Sequence, residues 1–163
     1  MIKSSKVISF ALAGYGRFGR HHANVISNHP SAQVSAIAEP DPSAIEQARK
    51  DFPETQIFED PVRMIQEMEF DAVTIVSPEN THAEIVRKAL NKGIHVFCEK
   101  PLSTRLDEAR ELVKLANQMN LLLRLGYILR YDPDTGFYKN RLKKEDWEIL
   151  QIYAPNVMHR DPG

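Results

Sequence analysis

The run Val7-Ile8-Ser9-Phe10-Ala11-Leu12-Ala13 leads into Gly14-Tyr15-Gly16-Arg17-Phe18-Gly19, and a helical pattern leaves that turn. A strand, a Gly-x-Gly-x-x-Gly turn and a helix, in that order, commit the chain to a strand-turn-helix unit whose turn can cradle a phosphate. Three spaced glycines alone are a weak signal. Here Glu39 closes a second apolar run, Val34 to Ala38, about 20 residues after the last glycine, which is the spacing of the dinucleotide-binding fingerprint. Gly14 permits the tight turn, Gly16 lets a diphosphate approach the backbone, and Gly19 lets the helix lie close against the strand. The helix N-terminus offers unsatisfied N–H groups and a positive dipole end to the phosphates.

Glu39 sets the expected cofactor. A carboxylate at the end of the second strand accepts hydrogen bonds from the adenosine ribose hydroxyls, and its charge repels a 2′-phosphate. Pro40-Asp41-Pro42 behind it supplies no cation to hold that phosphate. NAD is therefore expected over NADP. Within the turn, Arg17 either lies over a phosphate or points into solvent, and Tyr15 reads as a surface or cleft residue.

Strand and helix patterns alternate along the chain, which predicts an α/β fold with a doubly wound parallel sheet, a Rossmann fold. Strands are predicted at Val7–Ala13, Val34–Ala38, Gln56–Phe58, Ala72–Ser77, Ile94–Cys98 and Leu121–Leu125, with the near-continuous apolar character of strands buried on both faces. Asp41-Pro42 and Asp60-Pro61 each place an N-cap acid before a proline at the first helical position. Thr81-His82-Ala83-Glu84 reads as a capping box, and Lys92-Gly93 as a cation and a glycine closing the same helix. Leu106, Ala109, Leu112, Val113 and Ala116 form one stripe of a further helix.

The character changes after Leu125. Residues 126–144 are polar, with Pro133 and Gly136, and hold at most one short helix around Phe137–Leu142. Trp147 to Tyr153 then reads as one more strand, and a lone strand cannot build a second domain. The expected division is residues 1–125 as the nucleotide-binding domain and 126–163 as a short extension.

At 163 residues the chain suits one ordinary domain with a small appendage, and 42% hydrophobic residues suffice for its core. The net charge of −1 argues against a nucleic-acid or membrane-surface partner. The N-terminal apolar run is too short for a signal peptide or a membrane span. The single cysteine, Cys98, excludes an internal disulfide and fits a cytoplasmic setting, where it reads as a small core residue. Histidines and carboxylates show no metal-ligand spacing, so no metal is expected.

A second cluster, Cys98-Glu99-Lys100-Pro101, closes the fifth strand on the side where open α/β sheets bind ligands. Lys100 there either hydrogen-bonds a substrate hydroxyl and polarises a developing carbonyl, or is a solvated turn residue. Glu99 pairs locally or lines the cleft. Ser77-Pro78-Glu79-Asn80-Thr81-His82 closes the fourth strand on the same side, and His82 reads as a packed or solvated helix-start residue rather than a catalyst. His21 and His22 read as helix-surface or packing residues.

These segments together resemble the glucose–fructose oxidoreductase / inositol 2-dehydrogenase / rhizopine catabolism family, Gfo/Idh/MocA. The specific matches are Ile75-Val76-Ser77-Pro78, His82-Ala83-Glu84-Ile85, Ala89-Leu90, Gly93-Ile94-His95-Val96 and Glu99-Lys100-Pro101, joined by Gly126-Tyr127, Arg130-Tyr131 and Pro133. The chain departs from the usual pattern at Glu79, where the family has asparagine. The resemblance implies NAD(P)-dependent hydride transfer on a sugar, inositol or related polyol. It implies that Lys100 is the catalytic lysine, with a cis Lys100–Pro101 bond. The implied cofactor-binding set is Gly14, Gly16, Arg17, Phe18, Gly19, Glu39, Ser77, Pro78, His82, Glu99 and Lys100.

Family members run to roughly twice this length, and the resemblance therefore implies that the chain is truncated, with only the first strand of the substrate and oligomerisation domain present. His159 lies beyond the alignable region. Three functions follow as expectations: an oxidoreductase represented by its cofactor-binding portion, a non-catalytic NAD-binding regulatory module, or an interaction module. In the last, the 147–153 strand pairs with a partner chain or a second copy and completes a site in trans.

Overall fold

The computed structural model describes residues 6–133. Its elements run β1 (Ile8–Ala13), α1 (Arg17–Ser27), β2 (Ala32–Ala38), α2 (Pro42–Asp51), β3 (Gln56–Phe58), α3 (Pro61–Glu67), β4 (Ala72–Ile75), α4 (His82–Asn91), β5 (His95–Cys98), α5 (Leu106–Gln118) and β6 (Leu123–Leu125). All pairings are parallel, in the order β3-β2-β1-β4-β5-β6. The chain winds outward from β1 to β3, crosses back beside β1 at β4, and winds outward again. This is the doubly wound Rossmann order expected from the sequence.

Alternation along the strands divides the core between the two faces. Ala11 and Ala13 of β1 pack with Val73, Ile75, Val86, Leu90 and Leu112 on one face. Leu12 and Ile37 pack with Ala23 and Ala48 of α1 and α2 on the other. All four residues of β4 are buried, as the centre of a sheet covered on both faces requires.

Helix ends follow the sequence at Asp41, Asp60 and Gly93, which closes α4 with φ +84°, and depart from it elsewhere. Asp41 accepts from the Ala44 N–H at 2.9 Å and Asp60 from the Val62 N–H at 2.8 Å, each ahead of its proline. The capping box at Thr81 does not form. A 3-10 turn, Glu79–Thr81, feeds directly into α4, so Thr81 already has helix-like torsions (φ −98°, ψ −13°) and makes no capping bond. Its hydroxyl turns back to donate to the Pro78 carbonyl at 2.7 Å. Lys92 ends α4, but its ammonium serves a neighbour: it donates at 2.7 Å to the carbonyls of Ile65 and Met68 at the end of α3.

The α5 stripe also divides. Leu112 and Ala116 are buried, whereas Leu106 and Val113 are 66% and 47% exposed, because β6 is the sheet's edge and nothing described lies beyond it. β6 starts at Leu123 rather than Leu121, since the Leu121 N–H bonds the Ala116 carbonyl and remains part of the α5 exit turn.

The chain divides into two units, Met1–Tyr127 and Ile128–Gly163. The described part of the second holds a 3-10 turn, Ile128–Arg130. The helix expected around Phe137–Leu142, the strand expected at Trp147–Tyr153 and His159 lie outside the described residues. Among the described residues no helix is long and apolar enough to cross a membrane.

Candidate functional site

β1, β2 and β4 end level with one another: Ala13 pairs with Ala38 on one side and with Ile75 on the other. The chain therefore delivers Gly14, Glu39 and Val76 to one sheet edge, at the point where strand order reverses. The Gly14 N–H donates to the Ala38 carbonyl and the Val76 N–H to the Ala13 carbonyl, both at 2.8 Å, so the three exits are tied together. A cleft of about 580 Å³ opens there. Of the sequence candidates, Gly14, Gly16, Arg17, Phe18, Glu39, Ser77 and Pro78 line it, with Pro40, Pro61, Val76 and Ile85 adding apolar wall. Gly19, His82, Glu99 and Lys100 do not.

The glycines differ in what they do. Gly14 has φ +105°, and a Cβ there would lie 2.8 Å from the Ser77 nitrogen. A Cβ on Gly19 would lie 2.3 Å from the Gly14 carbonyl oxygen, so α1 crosses the turn at backbone contact. A Cβ on Gly16 would meet nothing within 4 Å. Its space belongs to the cleft. Gly16 is also the N-cap of α1: it has no side chain to bond the first-turn N–H groups, and no acidic residue occupies that turn. The donors and the positive dipole end thus stay available to an anion, and the residues present fit a dinucleotide diphosphate.

Glu39 is only 8% exposed. Its Oε2 accepts from the Tyr15 N–H at 2.6 Å and its Oε1 from the Asp41 N–H at 2.9 Å. Each oxygen retains capacity for a further donor such as a ribose hydroxyl. Arg17 is exposed, with its guanidinium 5.9 Å from the Phe18 ring centroid. Tyr15 is not the surface or cleft residue the sequence suggests. It is 2% exposed, packs edge-on against Phe52, and donates its hydroxyl to Asp51 at 2.8 Å. The signal for this was distant: an aromatic between two glycines followed, 36 residues on, by Asp51-Phe52 at a helix end.

The remaining candidates form the support behind the cleft. His82 is 1% exposed, and its ring bridges two backbone carbonyls, Ser77 at 2.8 Å from Nε2 and Pro101 at 2.7 Å from Nδ1. It thereby joins the loop after β4 to the turn after β5. His82→Ala should lower stability by about 3 kcal/mol, from the cavity and the loss of both carbonyls' partner. Urea unfolding of the two proteins checks this, and a difference below about 1 kcal/mol would remove His82 as a tie.

Glu99 pairs through Oε1 with Nε2 of His22 on α1 at 3.1 Å, and Gly126 leaves it room: a Cβ there would sit 2.7 Å from the carboxyl group. His22 in turn packs on Phe97, with ring centroids 5.3 Å apart. Lys100 is exposed just beyond β5, and its peptide bond to Pro101 is cis. Cys98 is fully buried, and burial pushes its thiol up to about 12. Among the described residues no group of three or more His, Cys, Asp or Glu is placed to hold a metal ion.

The model of the Gfo/Idh/MocA oxidoreductase family, NAD-binding Rossmann fold, matches residues 8–127. The chain belongs to this family. Among its relatives, scyllo-inositol 2-dehydrogenase (NAD(+)) of Bacillus subtilis is 30% identical over 81% of this chain and 39% of its own length. Inositol 2-dehydrogenase of Rhizobium meliloti is 30% identical over 96% of this chain and 46% of its own. The crystal structure of scyllo-inositol dehydrogenase from Lactobacillus casei, with bound NAD(H) and scyllo-inositol, superposes with a TM-score of 0.79 at 32% identity, covering 85% of this chain and 42% of that one. The chain thus spans less than half the length of these Gfo/Idh/MocA relatives.

Proposed function

We propose that the cleft binds NAD(H) in preference to NADP(H), and that the protein is an oxidoreductase acting by hydride transfer on an inositol, sugar or related polyol. The observation that carries the cofactor preference is Glu39: a carboxylate held by two backbone N–H groups at the cleft wall, beside the uncapped N-terminus of α1. That geometry accepts from a vicinal ribose diol and repels a 2′-phosphate. The substrate class rests on the relatives named as inositol dehydrogenases.

Bound NAD would supply the hydride acceptor. In alcohol oxidation the hydroxyl also loses a proton, which passes to solvent water. Lys100, exposed at the carboxyl end of β5, is assigned the role of donating a hydrogen bond to that hydroxyl oxygen and stabilising its developing negative charge. His82 and Glu99 are assigned to holding the Lys100 turn and α1 in place. In this reading residues 1–125 are the cofactor-binding domain, and 126–163 are the linker and first strand of a substrate and oligomerisation domain. A homo-oligomer or partner chain joined through 147–153 and a cytoplasmic setting belong to the same reading.

Titration of the 163-residue protein with NADH and NADPH tests it. NADH is expected to bind at least about tenfold more tightly, the equivalent of one favourable ribose contact. Equal or tighter NADPH binding would overturn the preference, and binding of neither would overturn the cofactor site. Incubation with NAD and scyllo-inositol, myo-inositol or aldoses, read as NADH absorbance, tests the reaction. NADH binding without turnover on any of them would favour a regulatory module.

A further inference from the structure

We infer that Tyr15 is a positioning residue that sets the cofactor preference by acting through Glu39; the inference rests on the NAD reading above. Tyr15 stands between Gly14 and Gly16, so its peptide groups have permissive neighbours on both sides. Backbone ties hold the Gly14 end of that segment, through the Ala38 carbonyl and the contact with Gly19, and leave the Tyr15 end to a further anchor. The side chain is the anchor. Its ring is buried with Leu12, Ile37 and Ala48, with the Phe52 ring edge-on at 6.2 Å and 88°. Its hydroxyl donates to Asp51 Oδ2 at 2.8 Å, while Asp51 Oδ1 accepts from Gln47 Nε2 at 2.7 Å. Burial, and then the Asp51 carboxylate, push the phenol well above its ordinary pKa, so it remains a donor.

These contacts close a circuit. Asp51 is the last residue of α2, and Asp41 is the N-cap of the same helix. The Asp41 N–H holds one oxygen of Glu39 and the Tyr15 N–H holds the other. The two donors that orient Glu39 are therefore referenced to opposite ends of one 10-residue helix. Removing the phenol hydroxyl frees one side of the circuit. The Tyr15 N–H, still tied through the Gly14 peptide, then tilts as the ring shifts in its pocket, and the carboxylate loses part of the orientation that a ribose diol requires.

A double-mutant cycle on the full chain tests this, with NADH and NADPH dissociation constants measured for wild type, Tyr15→Phe, Glu39→Ala and the double variant. Tyr15→Phe is expected to weaken NADH binding on the order of fivefold and NADPH binding less than about twofold, narrowing the preference. In the Glu39→Ala background the same change should have no further effect on NADH, because the residue through which it acts is gone. Asp51→Ala, which leaves the ring buried, should reproduce the Tyr15→Phe shift should that variant fold poorly.

A lower Tm with an unchanged NADH to NADPH ratio would make Tyr15 merely structural and overturn the inference. Equal NADH losses in both backgrounds would do the same. Wild-type protein that binds neither dinucleotide would instead overturn the cofactor reading itself.

Discussion

A methyl group added at Gly19 is expected to lower stability by about 3 kcal/mol or more, whereas one added at Gly16 should cost at most about 1 kcal/mol, as an N-cap change, and weaken cofactor binding at least about tenfold. The two sites sit three residues apart on the same turn. At Gly19 the new Cβ would lie 2.3 Å from the Gly14 carbonyl oxygen and 2.9 Å from its carbonyl carbon. Both are backbone atoms of a turn already tied to β2, since the Gly14 N–H bonds the Ala38 carbonyl. They cannot yield without pulling α1 off the sheet. Against a total of roughly 5–15 kcal/mol this is a large loss, and for a chain of this size it corresponds to a fall in Tm of roughly 10 °C.

Gly16 has ordinary torsions for a side chain (φ −65°, ψ −165°) and empty space where one would go. Alanine there meets no protein atom but occupies the approach to the α1 N-terminus. NADH affinity should fall by at least about tenfold, with Tm within about 3 °C of wild type, the most that an N-cap alanine costs. Thermal melts and NADH titrations of both variants decide the matter. A Gly16→Ala protein that binds NADH normally would mean that the diphosphate does not approach this turn.

On the proposed function, Lys100→Ala is expected to lower kcat for polyol oxidation by about 10² to 10³ while leaving the NADH dissociation constant within about twofold. The asymmetry follows from placement. Lys100 lies beyond β5 and is absent from the lining of the cleft between the β1, β2 and β4 exits. An ammonium that stabilises charge developing during reaction contributes to the transition state and little to cofactor affinity. The measurement needs an activity found with the polyol panel, followed by kcat and NADH binding on the same preparations. Loss of NADH binding in step with activity would reassign Lys100 to holding the cofactor, and unchanged kcat would remove it from the chemistry.

The strands and their parallel, doubly wound arrangement were legible in the sequence because each is a short apolar run bounded by turn chemistry, and because the glycine turn identifies which run is β1. Asp41 and Asp60 were legible as caps because their effect is local: an acid, a proline and a nearby N–H suffice. Thr81 fails the same logic, since the capping box assumes an extended residue at the helix start and the Pro78 turn delivers a helical one. Lys92 and Tyr15 were illegible for a different reason. Their partners, the α3 carbonyls and Asp51, are brought near only by the packing of neighbouring elements on one face of the sheet. The exposure of Leu106 and Val113 likewise depends on which strand is last in the sheet, which no local pattern states. Sequence spacing located the cleft's floor, whereas the buried ties that orient it are tertiary.

The crossover from β3 to β4 also bears on how the molecule is made. A nascent chain of the first 60 residues carries all three glycines and Glu39, yet only one side of the crevice. Val76, Ser77 and Pro78, which form the opposite side, and the Val76 backbone against which Gly14 is fitted, arrive later. β4 then has to insert beside the oldest strand, β1, rather than the newest, β3. During synthesis one edge of β1 stays unsatisfied until that insertion, and exposed strand edges are where misassembly starts. Ligand present during translation would accordingly have nothing complete to hold until β4 has docked, so the crevice can stabilise the finished domain but cannot template its first half.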